Sequence, residues 1–207
     1  FLYFFIIYKD ILEKRVLYEI VKRLERQKEV MFLFRVEKLN VDKMKDCVCP
    51  PMKEYSKEEE AWRYFDIANC YSYALGLFVD ISFLRPGEIS SMEFKSQYSD
   101  SDIIERFFRD AEMLGLEIRE SNLDEILEDE DAWKVAILNT GIRNLQDFYD
   151  YHFLKQGVNK MWYHKHPYEQ FPTRYDTRSR IIDNPETAEY SYDYHLVGYY
   201  AVKKRKK

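Results

Sequence analysis

Cysteine is scarce: the 207 residues hold three, Cys47, Cys49 and Cys70. An odd, low number builds no disulfide framework, and a Cys47–Cys49 bridge would close a very small, strained ring. Free thiols in a reducing setting, cytoplasmic or virion-associated, are expected. Cys47-Val48-Cys49 has no His near it in sequence. That is too few ligands for zinc, so neither a metal nor another cofactor is expected. Positive charge is also short. The net charge is −5 at pH 7, which disfavours a nucleic-acid or anionic-membrane role. The exception is the basic tail 203–207, Lys203-Lys204-Arg205-Lys206-Lys207, which reads as a solvated terminus, a localisation signal or a polyanion contact. The apolar opening, Phe1 to Tyr8, is far shorter than the ~20 residues of a membrane-spanning helix. It also lacks the flanks of a signal peptide, and it reads as a buried strand or the start of the next helix. Internal repeats are absent.

Aromatic residues, by contrast, are plentiful: 17% of the chain, with 18 Tyr and 14 Phe. Such a load belongs to a folded, strand-containing core and not to a disordered chain. Leu12, Val16, Ile20 and Leu24 recur every fourth position and predict an amphipathic helix over 9–29. Alternation over 30–39 predicts a strand. The stretch 40–54, with Pro50-Pro51, reads as a linker. Residues 1–54 are thus an N-terminal helical arm and linker, and 55–202 the main domain. Ser56 and Glu59 fit a capping box opening a helix. Cys70 begins a further helical run with Tyr73, Ala74 and Leu77 on one face. Leu84 to Ser90 is a turn. Ile103, Ile104, Phe107, Phe108, Ala111 and Leu114 form the stripe of a helix over 100–114 that Gly115 can end. Leu123 to Glu130 reads as a short acidic helix. Strands are expected at 133–139, 148–155, 160–164 and 195–202, with a long loop at 167–193. Helices first and an antiparallel sheet after make an α+β fold.

The chemistry centres on Cys70. A thiol at a helix N-terminus is favoured as thiolate, the form that attacks carbonyls. It needs a base, and the base needs an orienting group. His152 lies within a strand-like run, and His164 follows across a turn on the next one. Neighbouring strands bring such rings together when the register matches. Asp150, Asp176 and Asp183 are alternative third residues. Donors for an oxyanion hole are the Cys70 backbone N–H and one of Tyr55, Tyr64 or Asn69. His166 and His195 receive no role.

Asn69-Cys70-Tyr71-Ser72-Tyr73-Ala74, Asp150-Tyr151-His152-Phe153 and Trp162-Tyr163-His164-Lys165 together resemble the NlpC-type papain-like superfamily of cysteine peptidases and amidases. The similarity is greatest to poorly characterised members in bacteria and large DNA viruses. Pro86-Gly87-Glu88 resembles a turn common there. The resemblance covers roughly residues 60–202. It implies a papain-like domain with N-terminal helices packed on an antiparallel sheet. It also implies Cys70 as nucleophile, His152 as base and His164 as the third residue, acting on a peptide or other amide or ester substrate. The second reading is a structural component, for example of a virion, that keeps the fold with an idle site and binds assembly partners through the N-terminal arm. Neither reading calls for specific nucleic-acid binding or a transmembrane span.

Overall fold

The structure is a computed structural model, and it describes residues 40–49, 68–77, 83–142, 148–157, 159–166 and 171–205. The helix expected at 9–29, the strand at 30–39 and the capping-box helix from Ser56 lie outside these residues. Everything described belongs to one compact unit, Asn40–Lys207.

Five strands make its sheet: β1 Leu116–Ser121, β2 Ala132–Asn139, β3 Tyr151–Gln156, β4 Trp162–His164 and β5 His195–Lys204. They lie in the order β1-β5-β2-β3-β4, and every neighbouring pair is antiparallel. Among the described residues three helices accompany them: α1 Val41–Asp46, α2 Cys70–Ala74 and α3 Asp100–Met113. The fold of the described residues is therefore α+β, as expected, with an open antiparallel sheet.

Side-chain alternation along β3 sorts the two faces of the sheet. Phe153 meets Tyr71 of α2 at 4.9 Å and Phe107 of α3 at 5.7 Å between ring centres. His152 and Leu154 point the other way. Leu154 packs there with Ala136, Leu138, Trp162, Ile182 and Tyr199. The sheet is thus covered by helices on one face and largely by the 171–194 loop on the other.

α3 follows its sequence signals. Ser99 and Asp102 form a reciprocal capping box. Ile103, Phe107, Ala111 and Leu114 are buried as one stripe. Gly115 ends the helix at φ 71. α2 is shorter than its apolar spacing suggests. It stops at Ala74, and Leu77 instead forms a β-bridge with Val48. Gly76 makes this turn possible: φ is 69, and a Cβ there would sit 2.7 Å from the Cys49 carbonyl oxygen.

Two further segments differ from expectation. Residues 40–49 are not bare linker. They form α1 and then join the domain, where Cys49 N–H donates to Gly76 O at 2.9 Å and Lys204 Nζ donates to Val48 O at 3.2 Å. Residues 123–130 do not form the acidic helix. Lys134 Nζ takes the carbonyls of Asn122, Leu123 and Glu125, and Asn122 Oδ1 takes the amides of Asp124 and Glu125. The carbonyls held by Lys134 are ones that a helical ladder would need. Edge strand β1 carries only Leu116 and Ile118 as apolar residues and was not anticipated.

A buried carboxylate ties α2 and α3 to the turn between them. Asp110 accepts from Tyr71 Oη (2.8 Å), Gly87 N–H (2.8 Å), Ser90 N–H (2.8 Å) and Ser90 Oγ (2.6 Å). Burial pushes its carboxyl up to about 6 despite these donors. Asp110→Ala leaves several buried donors without an acceptor and should destabilise the domain by about 3–5 kcal/mol. Urea unfolding measures this directly, and a loss under about 1 kcal/mol would contradict the anchoring role.

Among the described residues no helix is long and apolar enough to cross a membrane.

Candidate thiol site

Asn69 starts α2. Its Oδ1 accepts the Ser72 N–H at 3.0 Å, and its own N–H donates to Ser72 Oγ at 3.0 Å. This capping box puts Cys70 at the first helical position, as expected. Asn69 Nδ2 donates to Leu84 O at 2.6 Å. That bond commits one of the two Nδ2 protons of Asn69 to the turn. Tyr55 and Tyr64 lie outside the described residues.

The environment of the thiol differs from expectation. Cys70 is 7% exposed, and burial, with Asp150 adding to it, pushes the thiol up to about 12. The backbone amides of Phe153, Tyr71 and Cys70 pull the other way and do not win. A helix of five residues adds little dipole. Cys70 is therefore a neutral thiol at physiological pH, not a resting thiolate.

The Phe153 amide reaches the sulfur because of how the ladders end. Thr140 N–H donates to Asp150 O, and the register steps by two from there. The Phe153 N–H consequently points away from β2 and toward the β4 side. β4 stops at His164, which turns to pair with Thr173. The sulfur accepts the Phe153 amide, beside the His152–Phe153 peptide.

His152 and His164 are brought together: His152 Nε2 and His164 Nδ1 are 2.8 Å apart. His164 Nε2 lies 3.0 Å from the Tyr175 carbonyl oxygen. A carbonyl only accepts, so the His164 proton is on Nε2 and its Nδ1 is an acceptor. His152 must then donate from Nε2, which leaves its Nδ1 as the lone pair. The tautomers of both rings follow from one backbone carbonyl. Burial lowers His152 well below 6.5, and the neighbouring His164 and His166 rings add to the effect. Burial brings His164 down to about 4. Both are neutral imidazoles.

The body of α2 packs on the Phe153 face, whereas the His152 ring lies on the opposite face. Among the described residues no hydrogen bond joins the Cys70 thiol to the His152 ring.

Two of the three alternative third residues, Asp150 and Asp176, are engaged elsewhere. Asp150 accepts from Tyr194 Oη. Asp176 accepts from Arg180 Nε and Nη2 and from the Arg178 and Arg180 amides. It thereby braces the loop that presents the Tyr175 carbonyl. Asp183 is exposed. His195 pairs with Asp100 at the surface, at 2.9 Å.

Compared with family models, with curated proteins and with solved structures, the chain matches none.

Two participants were not anticipated. His166 stacks on His152 with ring centres 4.9 Å apart and planes at 21°. Its i+2 spacing from His164 was the available signal, because alternation puts both on one face. The Tyr175 carbonyl, which sets the tautomers, is a backbone group inside an irregular loop and leaves no trace in side-chain pattern. Aromatic rings lead from the surface to the site. Exposed Phe148 stacks on Tyr192 at 4.7 Å, Tyr192 meets Tyr194 at 6.0 Å, and Tyr194 lies over His152 at 5.9 Å.

Proposed function

We propose that the protein is a papain-like thiol hydrolase that cleaves an amide or ester through an acyl-enzyme on Cys70, with His152 as base and His164 as its orienter. The observation that carries this reading is the chain from Tyr175 C=O through His164 to His152. It fixes a base with its lone pair on Nδ1, on the strand whose next amide hydrogen-bonds the Cys70 sulfur.

Thiol and imidazole begin neutral, so proton transfer accompanies attack. The His152 ring swings round the edge of β3 from the opposite sheet face, and its Nδ1 takes the Cys70 proton as the S–C bond forms at the substrate carbonyl. The resulting oxyanion is met by backbone amides of the first turn of α2. Collapse breaks the bond to the leaving group, which takes the proton from His152. Water, activated by the same Nδ1, then hydrolyses the thioester. His164 is a neutral acceptor: it aims the ring and adds no negative charge to hold an imidazolium.

Because His152 stays neutral well below 6.5, the acid limb of kcat/KM should lie below pH 6.5. A limb at or above 6.5 would show that His152 is not the base. The reading itself is tested with p-nitrophenyl acetate. An acylation burst of one equivalent per chain is expected, and Cys70→Ala should abolish it. A burst that survives Cys70→Ala overturns the reading.

One observation favours the alternative, an assembly component with an idle site: the Cys70 thiol is buried and protonated with no hydrogen bond to His152. Absence of any burst from the folded protein, with esters of several acyl groups, would select it.

A further inference from the structure

Three imidazoles meet on the loop face of the sheet. One ligand nitrogen from each of His152, His164 and His166 can be chosen so that all lie within 4.8 Å of one another. His152 and His164 are buried, and His166 is half-buried. We propose that His152, His164 and His166 form a binding site for a zinc-class divalent cation, and that occupancy of this site and base catalysis by His152 exclude one another. The second clause rests on the hydrolase reading, whereas the first does not.

The donor set is chemically apt. Three imidazoles with an open fourth position suit zinc(II), and the absence of carboxylate ligands disfavours magnesium and calcium. Tetrahedral coordination with Zn–N bonds of ~2.05 Å sets the nitrogens ~3.4 Å apart. The 2.8 Å His152–His164 pair must open by ~0.6 Å, and the widest separation must close by up to ~1.4 Å. Rotations of the rings supply shifts of that size.

A second observation supports ligation. His164 presents Nδ1 to the cluster while its Nε2–H donates to the Tyr175 carbonyl. A histidine ligand commonly has its other nitrogen held in this way, which fixes ring and tautomer for the metal. His166 is placed by its stacking on His152. Asp150 lies within electrostatic reach of His166, and Asp176 within reach of His164, so the surroundings favour a cation. The ammonium of Lys165 opposes one, although it is turned to the His166 carbonyl at 2.9 Å.

Metal binding replaces the proton shared between His152 Nε2 and His164 Nδ1. The single proton of neutral His152 then moves from Nε2 to Nδ1, the atom that must be bare to act as base. The two states of the ring are chemically exclusive.

The test uses the full chain with Cys47, Cys49 and Cys70 replaced by Ser, so that no thiol contributes. Zinc is titrated against a chromophoric chelator, and cobalt(II) is followed by its visible absorption. One zinc per chain and a tetrahedral cobalt spectrum are expected, with magnesium giving no signal. His166→Phe keeps a ring stacked on His152 and removes one ligand. It should weaken zinc at least ~10-fold with the far-UV circular dichroism unchanged. No cobalt signal in the thiol-free chain, or affinity indifferent to His166→Phe, overturns the site. In the chain with native cysteines, zinc should suppress acylation of Cys70, and continued acylation of zinc-loaded protein overturns the exclusion. Zinc binding without any acylation would sink the hydrolase reading alone; acylation without zinc binding would sink the metal site alone.

Discussion

His152→Ala should slow acylation of Cys70 by an active ester ~10²–10⁴-fold at pH 7 and change its dependence on pH. In the native protein a neutral thiol passes its proton to His152 during attack, so the rate is level between the depressed pKa of His152 and neutrality. Without the ring only a preformed thiolate can attack. Burial has pushed that thiol up to about 12, so the variant's rate should rise about tenfold per pH unit through the alkaline range. A stopped-flow profile of the first turnover separates the two regimes. A variant that keeps the native plateau would mean that His152 takes no proton.

His164 should show a smaller loss with a diagnostic rescue. His164→Ala removes the acceptor of the buried His152 Nε2–H and breaks the chain to the Tyr175 carbonyl. An unpaired buried donor costs about 1–3 kcal/mol. Expressed against the transition state, that is ~5–150-fold in kcat. His164→Gln offers a carbonyl oxygen as acceptor and should recover most of the rate. The split between kcat and KM distinguishes positioning from folding: kcat should fall with KM nearly unchanged. Equal loss in both variants would show that His164 matters only as packing.

How much of this was legible in the sequence depends on the range of the signal. Local chemistry was: Asn69 before Cys70 marks the start of α2, and the stripe ending at Leu114 marks the buried face of α3. The strands carrying His152 and His164 were legible from alternation, and so was their meeting, because a hairpin fixes register. The state of the thiol was not. A helix start argues for thiolate, but the depth of Cys70 is set by rings from β3 and by the loop near Tyr194, distant in sequence. Nor was the contact of the sulfur with the Phe153 amide, which depends on the register of β3 on β2. The expected acidic helix at 123–130 failed for the same reason: Lys134, on the next strand, claims its carbonyls.

The central claim is that one of three thiols is chemically different. Limiting p-nitrophenyl acetate followed by quenching and peptide mapping measures it. The account predicts the acyl group on Cys70, although that thiol is buried and Cys47 and Cys49 are half-buried. Acyl groups spread evenly over the three, or confined to Cys47 and Cys49, would contradict it.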